Sequence, residues 1–238
     1  MYRTALASVL IMGSAVGAHA AAYYDFETYT LGPVSGQDGW TSTGTATIIS
    51  VLSQQSLQIA QGTATHGLTG SGFGNVTNIS YLTAITDGSN SYSEVILNDS
   101  GPVEYAHLGI NNQSDYFYWF DNSGLHFNTP NSIAIDPDTI YAVDVTLDFG
   151  AQKYRATVTD VVAATLKFDT GYLNFVTSTT SALGEAGALT FGGGDVGQSA
   201  IFDNLSISSV PEPSSALLAT FGALGIAIAR RRKSSGNY

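Results

Sequence analysis

A two-residue alternation of apolar and polar side chains is the feature that most constrains how this chain folds. It is clearest over residues 141–149, and it resumes over residues 153–158 after Gly150-Ala151-Gln152. Successive side chains of a β-strand point to opposite faces of the sheet, so the pattern predicts a β-hairpin with one buried and one solvated face. No segment between residues 21 and 209 keeps a 3.6-residue apolar period for three turns. The sequence therefore predicts an all-β protein.

The same alternation marks further short segments of the chain. Turn-forming Gly, Asn, Asp, Ser and Pro residues separate these segments. The additional predicted strands are residues 23–29, 45–51, 57–60, 79–85, 92–98, 103–110, 116–120, 125–128, 164–168, 188–191 and 200–207. Many short strands at this spacing indicate two antiparallel sheets packed face to face, which is a β-sandwich.

The first 20 residues have the pattern of a secretion signal. Arg3 precedes an apolar run over residues 5–16, and Ala18-His19-Ala20 places small side chains where a signal peptidase reads them. The run is short for a bilayer span, although a retained membrane anchor is the alternative. We predict that residues 1–20 form a signal helix that is cleaved and that residues 21–209 form one exported domain.

The charge balance of the predicted domain excludes one class of partner. Eighteen of the 19 acidic residues but only three of the 8 basic residues lie within residues 21–209, which gives a net charge of about −15. Nucleic acids are bound through clustered Lys and Arg, so we expect no nucleic acid partner. Cysteine is absent, which excludes disulfides, thiol catalysis and Cys-based metal sites.

The C-terminal residues have three ordered parts. Val210-Pro211-Glu212-Pro213 is extended and non-helical because of its two prolines. Residues 216–229 are apolar and predict a short transmembrane helix of about 21 Å. The basic cluster Arg230, Arg231, Arg232 and Lys233 should stay on the cytoplasmic side, and residues 234–238 form a polar tail.

This arrangement resembles the PEP-CTERM sorting domain over residues 210–233. The resemblance implies recognition and processing by a membrane enzyme of the exosortase type, with Pro211, Glu212 and Pro213 as the recognition residues. It also implies transient anchoring in the inner membrane of a Gram-negative bacterium, followed by transfer to the cell surface or extracellular matrix. An ordinary C-terminal membrane anchor is the alternative, and it too would place the domain outside the membrane.

The domain itself resembles the jelly rolls of the concanavalin A-like superfamily. Asp25-Phe26-Glu27, the segment of residues 36–40, the 141–158 hairpin and the closing residues 201–207 carry this resemblance. It implies that the first and last strands lie side by side. It also implies a structural calcium ion, for which Asp25 and Asp203 are the candidate ligands. Turn-forming aspartates are the alternative explanation of the acidic loops.

The sequence favours a non-catalytic domain. Glycosidases of this superfamily place paired carboxylates on one strand, in an E-x-D-x-x-E or E-x-D-x-E pattern, and neither pattern occurs here. No nucleophile or metalloprotease motif is present either. We therefore expect no catalysis.

The aromatic residues between 103 and 128 provide a candidate binding surface. If the loop 111–114 places Ile110 opposite Asp115, then Ala106, Leu108, Phe117 and Trp119 share the core face. A three-residue loop at 122–124, with Gly124 in a bulge, would then pair Trp119 with Phe127 and align His126 with the tyrosines. The predicted carbohydrate platform consists of Tyr105, His107, Tyr116, Tyr118, Phe120 and His126. Plain cross-strand packing of aromatic residues is the alternative.

Three functional hypotheses follow. The first is an exported, non-catalytic surface or matrix protein with a lectin-like domain that binds exopolysaccharide, since sugar C–H faces stack on exposed rings. The second is a structural matrix protein without a ligand. The third is a divergent glycan hydrolase or lyase.

Overall fold

The computed structural model describes residues 22–51, 54–68, 76–86, 92–98, 103–111, 115–128, 135–136, 139–177, 188–193 and 199–210. These residues form β-strands, turns and loops, and no helix occurs among them, which confirms the predicted all-β class. Within the same ranges there is accordingly no helix that is long and apolar enough to cross a membrane. The predicted signal helix of residues 1–20 and the predicted C-terminal helix lie outside the described residues.

The described residues form fifteen strands. The strands are β1 (Ala22–Tyr24), β2 (Gly32–Pro33), β3 (Trp40–Val51), β4 (Gln54–Gly67), β5 (Val76–Ile85), β6 (Tyr92–Asn98), β7 (Glu104–Asn111), β8 (Tyr116–Asp121), β9 (Gly124–Phe127), β10 (Tyr141–Asp148), β11 (Lys153–Asp160), β12 (Thr165–Asp169), β13 (Leu173–Asn174), β14 (Ala188–Gly193) and β15 (Ala200–Val210).

The strands make one curled antiparallel sheet that folds over a shared core. Its strand order is β12-β11-β10-β5-β15-β4-β14-β6-β7-β8-β9, and β3, which is not on this path, also pairs with β4. β4 belongs to both halves, because its first part pairs with β15 and its second part pairs with β14. β1 pairs with β15, so the first and last strands lie side by side, as predicted.

The two long strands β3 and β4 turn the corner between the halves at a pair of facing glycines. Gly44 and Gly62 are register partners with φ values of 69° and 97°. A Cβ on Gly44 would lie 2.1 Å from the carbonyl oxygen of Gln61, and a Cβ on Gly62 would lie 2.3 Å from that of Thr43. The close backbone approach and the left-handed φ both require glycine at these positions.

The hairpin predicted from the alternation is present as β10 and β11. Leu147 pairs with Tyr154 and Val143 with Val158, and all four side chains are buried in the core. The predicted first strand, residues 23–29, is shorter than expected. It ends at Tyr24 because Phe26 has a φ of 60°, which turns the chain away from the sheet.

Residues 36–40, part of the resemblance to the jelly rolls, form a tight turn that secures the core. Gly36 N donates to the Trp40 carbonyl at 2.8 Å, and the Trp40 indole is fully buried. The Trp40 ring stacks on Phe191, with centroids 6.2 Å apart, and its Nε1 donates to the Tyr29 hydroxyl at 3.2 Å. The motif therefore has a structural role.

Candidate functional site

The outer face of β14, β6, β7, β8 and β9 carries one row of residues that are direct cross-strand neighbours. Gly192 pairs with Glu94, Glu94 with Gly109, Gly109 with Tyr118, and Tyr118 with Phe127. Strand partners on one face lie close enough for their side chains to interact. Glycines and large side chains therefore alternate from Gly192 to Tyr118, and Phe127 follows Tyr118 at the edge of the sheet.

The two glycines provide the space that the large side chains occupy. A Cβ on Gly109 would lie 2.2 Å from Cζ of Tyr118, and a Cβ on Gly192 would lie 2.3 Å from Oε1 of Glu94. The Tyr118 ring thus lies across the backbone of Gly109, and the Glu94 side chain lies across that of Gly192. Both side chains are held flat against the sheet, which leaves a depression above them.

This depression is a groove of about 470 Å³ with a mainly aromatic lining. Its size lies within the range of small-molecule and sugar sites in proteins. The groove is lined by Tyr92, Glu94, His107, Asn111, Tyr116, Tyr118, Phe120, Leu125 and Phe127.

A hydrogen-bond network centred on Glu94 forms the polar part of the groove. The Tyr118 hydroxyl donates to Glu94 Oε2 at 2.8 Å, and His107 Nε2 lies 3.2 Å from the same oxygen. On its other side, His107 Nδ1 lies 3.6 Å from Glu104 Oε2. Burial and the neighbouring Glu94 carboxylate raise the pKa of Tyr118 well above its usual value, so the phenol remains a neutral donor.

The aromatic rings form a continuous surface around this network. His107 stacks on Phe120, with centroids 4.3 Å apart and an interplanar angle of 22°. The ring centroid of Tyr116 lies 6.2 Å from that of Tyr118 and 5.8 Å from that of Phe127. Phe127, on the edge strand β9, is 56% exposed, so a large ring faces solvent beside the groove.

Four residues of the predicted platform line the groove: His107, Tyr116, Tyr118 and Phe120. The predicted pairing of β7 with β8 is wrong by two residues, because Ile110 faces Phe117 rather than Asp115. A two-residue slip preserves the face of every side chain, so these aromatic residues still point outward.

Tyr105 does not belong to the platform and is a core residue. The register between β6 and β7 shifts after Leu97, which makes Tyr105 the extra residue of a β-bulge. The bulge turns its side chain inward, where it is 2% exposed. There its ring packs against Phe149 and Phe175, with centroids 5.3 Å apart in each pair. The alternation predicted an outward side chain because a bulge is not visible in the pattern.

His126 also lies on the other face. Asp121 pairs with Gly124, so the loop has two residues, Asn122 and Ser123, instead of the predicted three. The shorter loop places His126 opposite Trp119, and the two rings stack with centroids 5.8 Å apart. Phe127, predicted on the Trp119 face, lies beside Tyr118 on the groove face instead.

The sequence reasoning missed Glu94, the central polar residue of the groove. Its strand was predicted correctly as residues 92–98, and alternation places Tyr92 and Glu94 on one face. Glu94 belongs to no paired-carboxylate pattern, so the catalytic motifs gave no signal for it. Pairing β6 with β7 as consecutive antiparallel strands would have placed Glu94 beside the predicted platform.

The C-terminal residues match a known protein family. Residues 209–233 match the family model described as the PEP-CTERM protein-sorting motif. The chain carries a PEP-CTERM motif. This motif implies processing by an exosortase and export to the cell surface. The predicted sorting residues Pro211, Glu212, Pro213, Arg230, Arg231 and Arg232 fall within the match but outside the described residues.

The PEP-CTERM match begins inside the last strand. β15 extends to Val210, where it pairs with Val76 of β5, one residue beyond the predicted domain boundary at residue 209. The folded sheet and the sorting segment are therefore directly consecutive in the chain.

Solved structures share the fold of the domain. Lectin UEA-II in complex with galactose is 7% identical, with a TM-score of 0.52, over 82% of this chain and 100% of that chain. The CBM2 module of the evolved Dit of Lactobacillus casei BL23 phage J-1 is 10% identical, with a TM-score of 0.53, over 81% of this chain and 98% of that chain. These likenesses confirm the lectin-like jelly roll predicted from the sequence. A search of curated proteins found no match.

The structure brings the two predicted calcium ligands, Asp25 and Asp203, towards each other, but it shows no complete set of ligands among the described residues. Tyr24 of β1 pairs with Leu205 of β15, which brings Asp25 towards Asp203. Burial raises the pKa of Asp203, and the charges of Glu27 and Asp25 raise it further. Among the described residues, no group of three or more His, Asp or Glu side chains is arranged to hold a metal ion. Calcium at Asp25 and Asp203 remains a prediction.

Proposed function

We propose that this chain is an exported, non-catalytic surface protein that binds polysaccharide in the groove over β6 to β9. The observation that carries the proposal is the exposed aromatic surface around a single polar network. The PEP-CTERM tail adds the location, since an exported protein at the cell surface meets extracellular polysaccharide. We further propose that it resides in the matrix of a Gram-negative bacterium.

The shape and chemistry of the groove suit a sugar ring. The apolar C–H face of a pyranose packs on aromatic rings, and its hydroxyls need polar partners at the edges. Phe127 and Tyr116 offer the rings, while Asn111, His107 and Glu94 offer the polar groups. The lectin and the carbohydrate-binding module of similar fold lend support at the level of architecture alone.

The groove favours binding over catalysis. Glycoside hydrolysis usually requires two carboxyl groups on either side of the scissile bond. Among the described residues that line the groove, Glu94 is the only carboxylate, and its Oε2 already accepts a hydrogen bond from Tyr118. A hydrolase of this kind would therefore lack a second carboxyl group among the described lining residues, and we propose that the bound glycan is released unchanged.

The test is a binding comparison between two exposed aromatic residues. Phe127→Ala removes a groove ring that is 56% exposed, and Tyr172→Ala removes a ring of β12–β13 that is 59% exposed and lies outside the groove. Fully burying an aromatic side chain contributes about 1.5–3 kcal/mol, and a ligand can cover only the exposed half of Phe127, so Phe127→Ala should weaken glycan binding at least about threefold. Tyr172→Ala should leave it unchanged.

Two results would replace the proposal. If neither substitution alters retention on any polysaccharide, the aromatic surface is cross-strand packing and the structural-matrix hypothesis is favoured. If incubation with a bound polysaccharide produces shorter chains or unsaturated sugars, the protein is a hydrolase or lyase. Product analysis by mass spectrometry distinguishes these two enzyme classes.

A further inference from the structure

We propose, resting on the function above, that the groove selects uncharged glycans and that Glu94 is the residue that rejects acidic ones. The charge of the groove, rather than its shape, carries this inference. Uronate and sulfate groups are bound in proteins by cations, most often the bidentate guanidinium of Arg.

The groove has no lysine or arginine to pair with an acidic sugar. Lys153, Arg155 and Lys167 are the only basic side chains among residues 21–210. Arg155 forms a bidentate pair with Asp169, with its Nε 2.9 Å from Oδ1, and Lys167 Nζ lies 3.7 Å from Asp160. All three lie on β11 or β12, and none lines the groove.

Glu94 adds a fixed negative charge at the centre of the groove. Its side chain is 17% exposed and lies flat over Gly192. Tyr118 and His107 contact Oε2, whereas no described residue donates a hydrogen bond to Oε1. That oxygen can accept a hydrogen bond from a sugar hydroxyl, but it would repel a sugar carboxylate.

His107 does not reverse the sign of this charge. It lies between Glu94 at 3.2 Å and Glu104 at 3.6 Å, so a protonated imidazole would still leave the three groups with a net charge of −1. The other polar groups of the lining are the phenols of Tyr92, Tyr116 and Tyr118 and the amide of Asn111, and none of them is a cation. The lining therefore offers no net positive charge to an acidic sugar.

The magnitude follows from the distance between like charges. Two unit charges 4 Å apart repel by about 1 kcal/mol in water and by more in a partly buried site. An acidic glycan should therefore bind at least about fivefold more weakly than the same glycan with its acids esterified.

The experiment uses the full chain, solubilised in a detergent without a sugar headgroup and immobilised at pH 8. It is exposed to an array of neutral and acidic polysaccharides that includes polygalacturonate and its methyl ester, and carboxymethyl cellulose and hydroxyethyl cellulose. We expect the uncharged member of each matched pair that binds to bind at least about fivefold more tightly than the acidic member. Glu94→Gln should reduce this preference, because the amide keeps an acceptor for Tyr118 and removes the charge.

Asp144→Asn is the matched control, because it removes one carboxylate from β10, on the other half of the sheet, where Ser80 is its partner. It should leave the preference unchanged. Equal or stronger binding of acidic glycans by the unmodified chain would overturn the inference while leaving the proposed function standing. Equal relaxation by both substitutions would assign the effect to overall charge and also overturn it. Failure of every glycan to bind would overturn the proposed function, and this inference with it.

Discussion

Replacing Gly44 by alanine tests the account of how one sheet curls into a sandwich. The φ of Gly44 is 69°, a left-handed conformation that costs an alanine about 1–2 kcal/mol. The new Cβ would also lie 2.1 Å from the carbonyl oxygen of Gln61, on a backbone that cannot rotate away. Forcing an atom into a packed site costs about 1–3 kcal/mol more. We expect Gly44→Ala to lower the free energy of unfolding by about 2–5 kcal/mol.

Gly171 provides the matched control. Its φ is 64°, close to that of Gly44, but a Cβ there would meet nothing within 4 Å. Gly171→Ala should therefore show only the conformational cost, about 1–2 kcal/mol. Urea unfolding of residues 21–210, followed by tryptophan fluorescence, measures both variants. Equal destabilisation by the two substitutions would refute the close backbone approach at the β3–β4 corner.

Three further predictions concern the core, the pH dependence and the tail. Trp40→Ala empties a fully buried site and should lower the free energy of unfolding, measured in urea, by about 3–5 kcal/mol. Trp119→Ala changes a half-buried position and should lower it by less. Burial raises the pKa of Tyr118 and Tyr154 above 10.0. As the pH rises, the phenols of the unfolded chain therefore lose their protons before those of the folded chain. The two tyrosines should leave the free energy of unfolding unchanged below pH 10, and above pH 10 each should lower it by up to about 1.4 kcal/mol per pH unit. A free energy of unfolding that stays constant between pH 10 and 11 would contradict this. Deleting residues 211–238 should release the exported domain from the cell surface in fractionation, and unchanged retention would argue against sorting by the PEP-CTERM tail.

The exposed edge of β9 explains why part of the candidate site remained hidden to sequence reasoning. Leu125 and Phe127 are 53% and 56% exposed, although large apolar side chains are usually assigned to the core. The loop before them has two residues rather than three, and this single residue decides which side chains of β9 face the groove. Turn composition alone fitted either length.

The sequence by itself determined the all-β class, the β10–β11 hairpin, the outward faces of His107, Tyr116 and Tyr118, and the sorting tail. Each of these depends on local order along the chain: alternation has a period of two, and a sorting motif is a linear pattern. A register error of two residues left the predicted faces of β7 and β8 intact for the same reason.

Only the tertiary structure decided what surrounds those aromatic rings. The bulge at Tyr105 turned that side chain into the core, the short loop moved His126 to the opposite face, and strand pairing brought Glu94 to the centre of the groove. Bulges, loop lengths and the pairing of strands depend on contacts between residues far apart in the chain. The alternation of a single strand carries no information about those contacts, so the chemistry of the groove emerges only when five strands lie side by side.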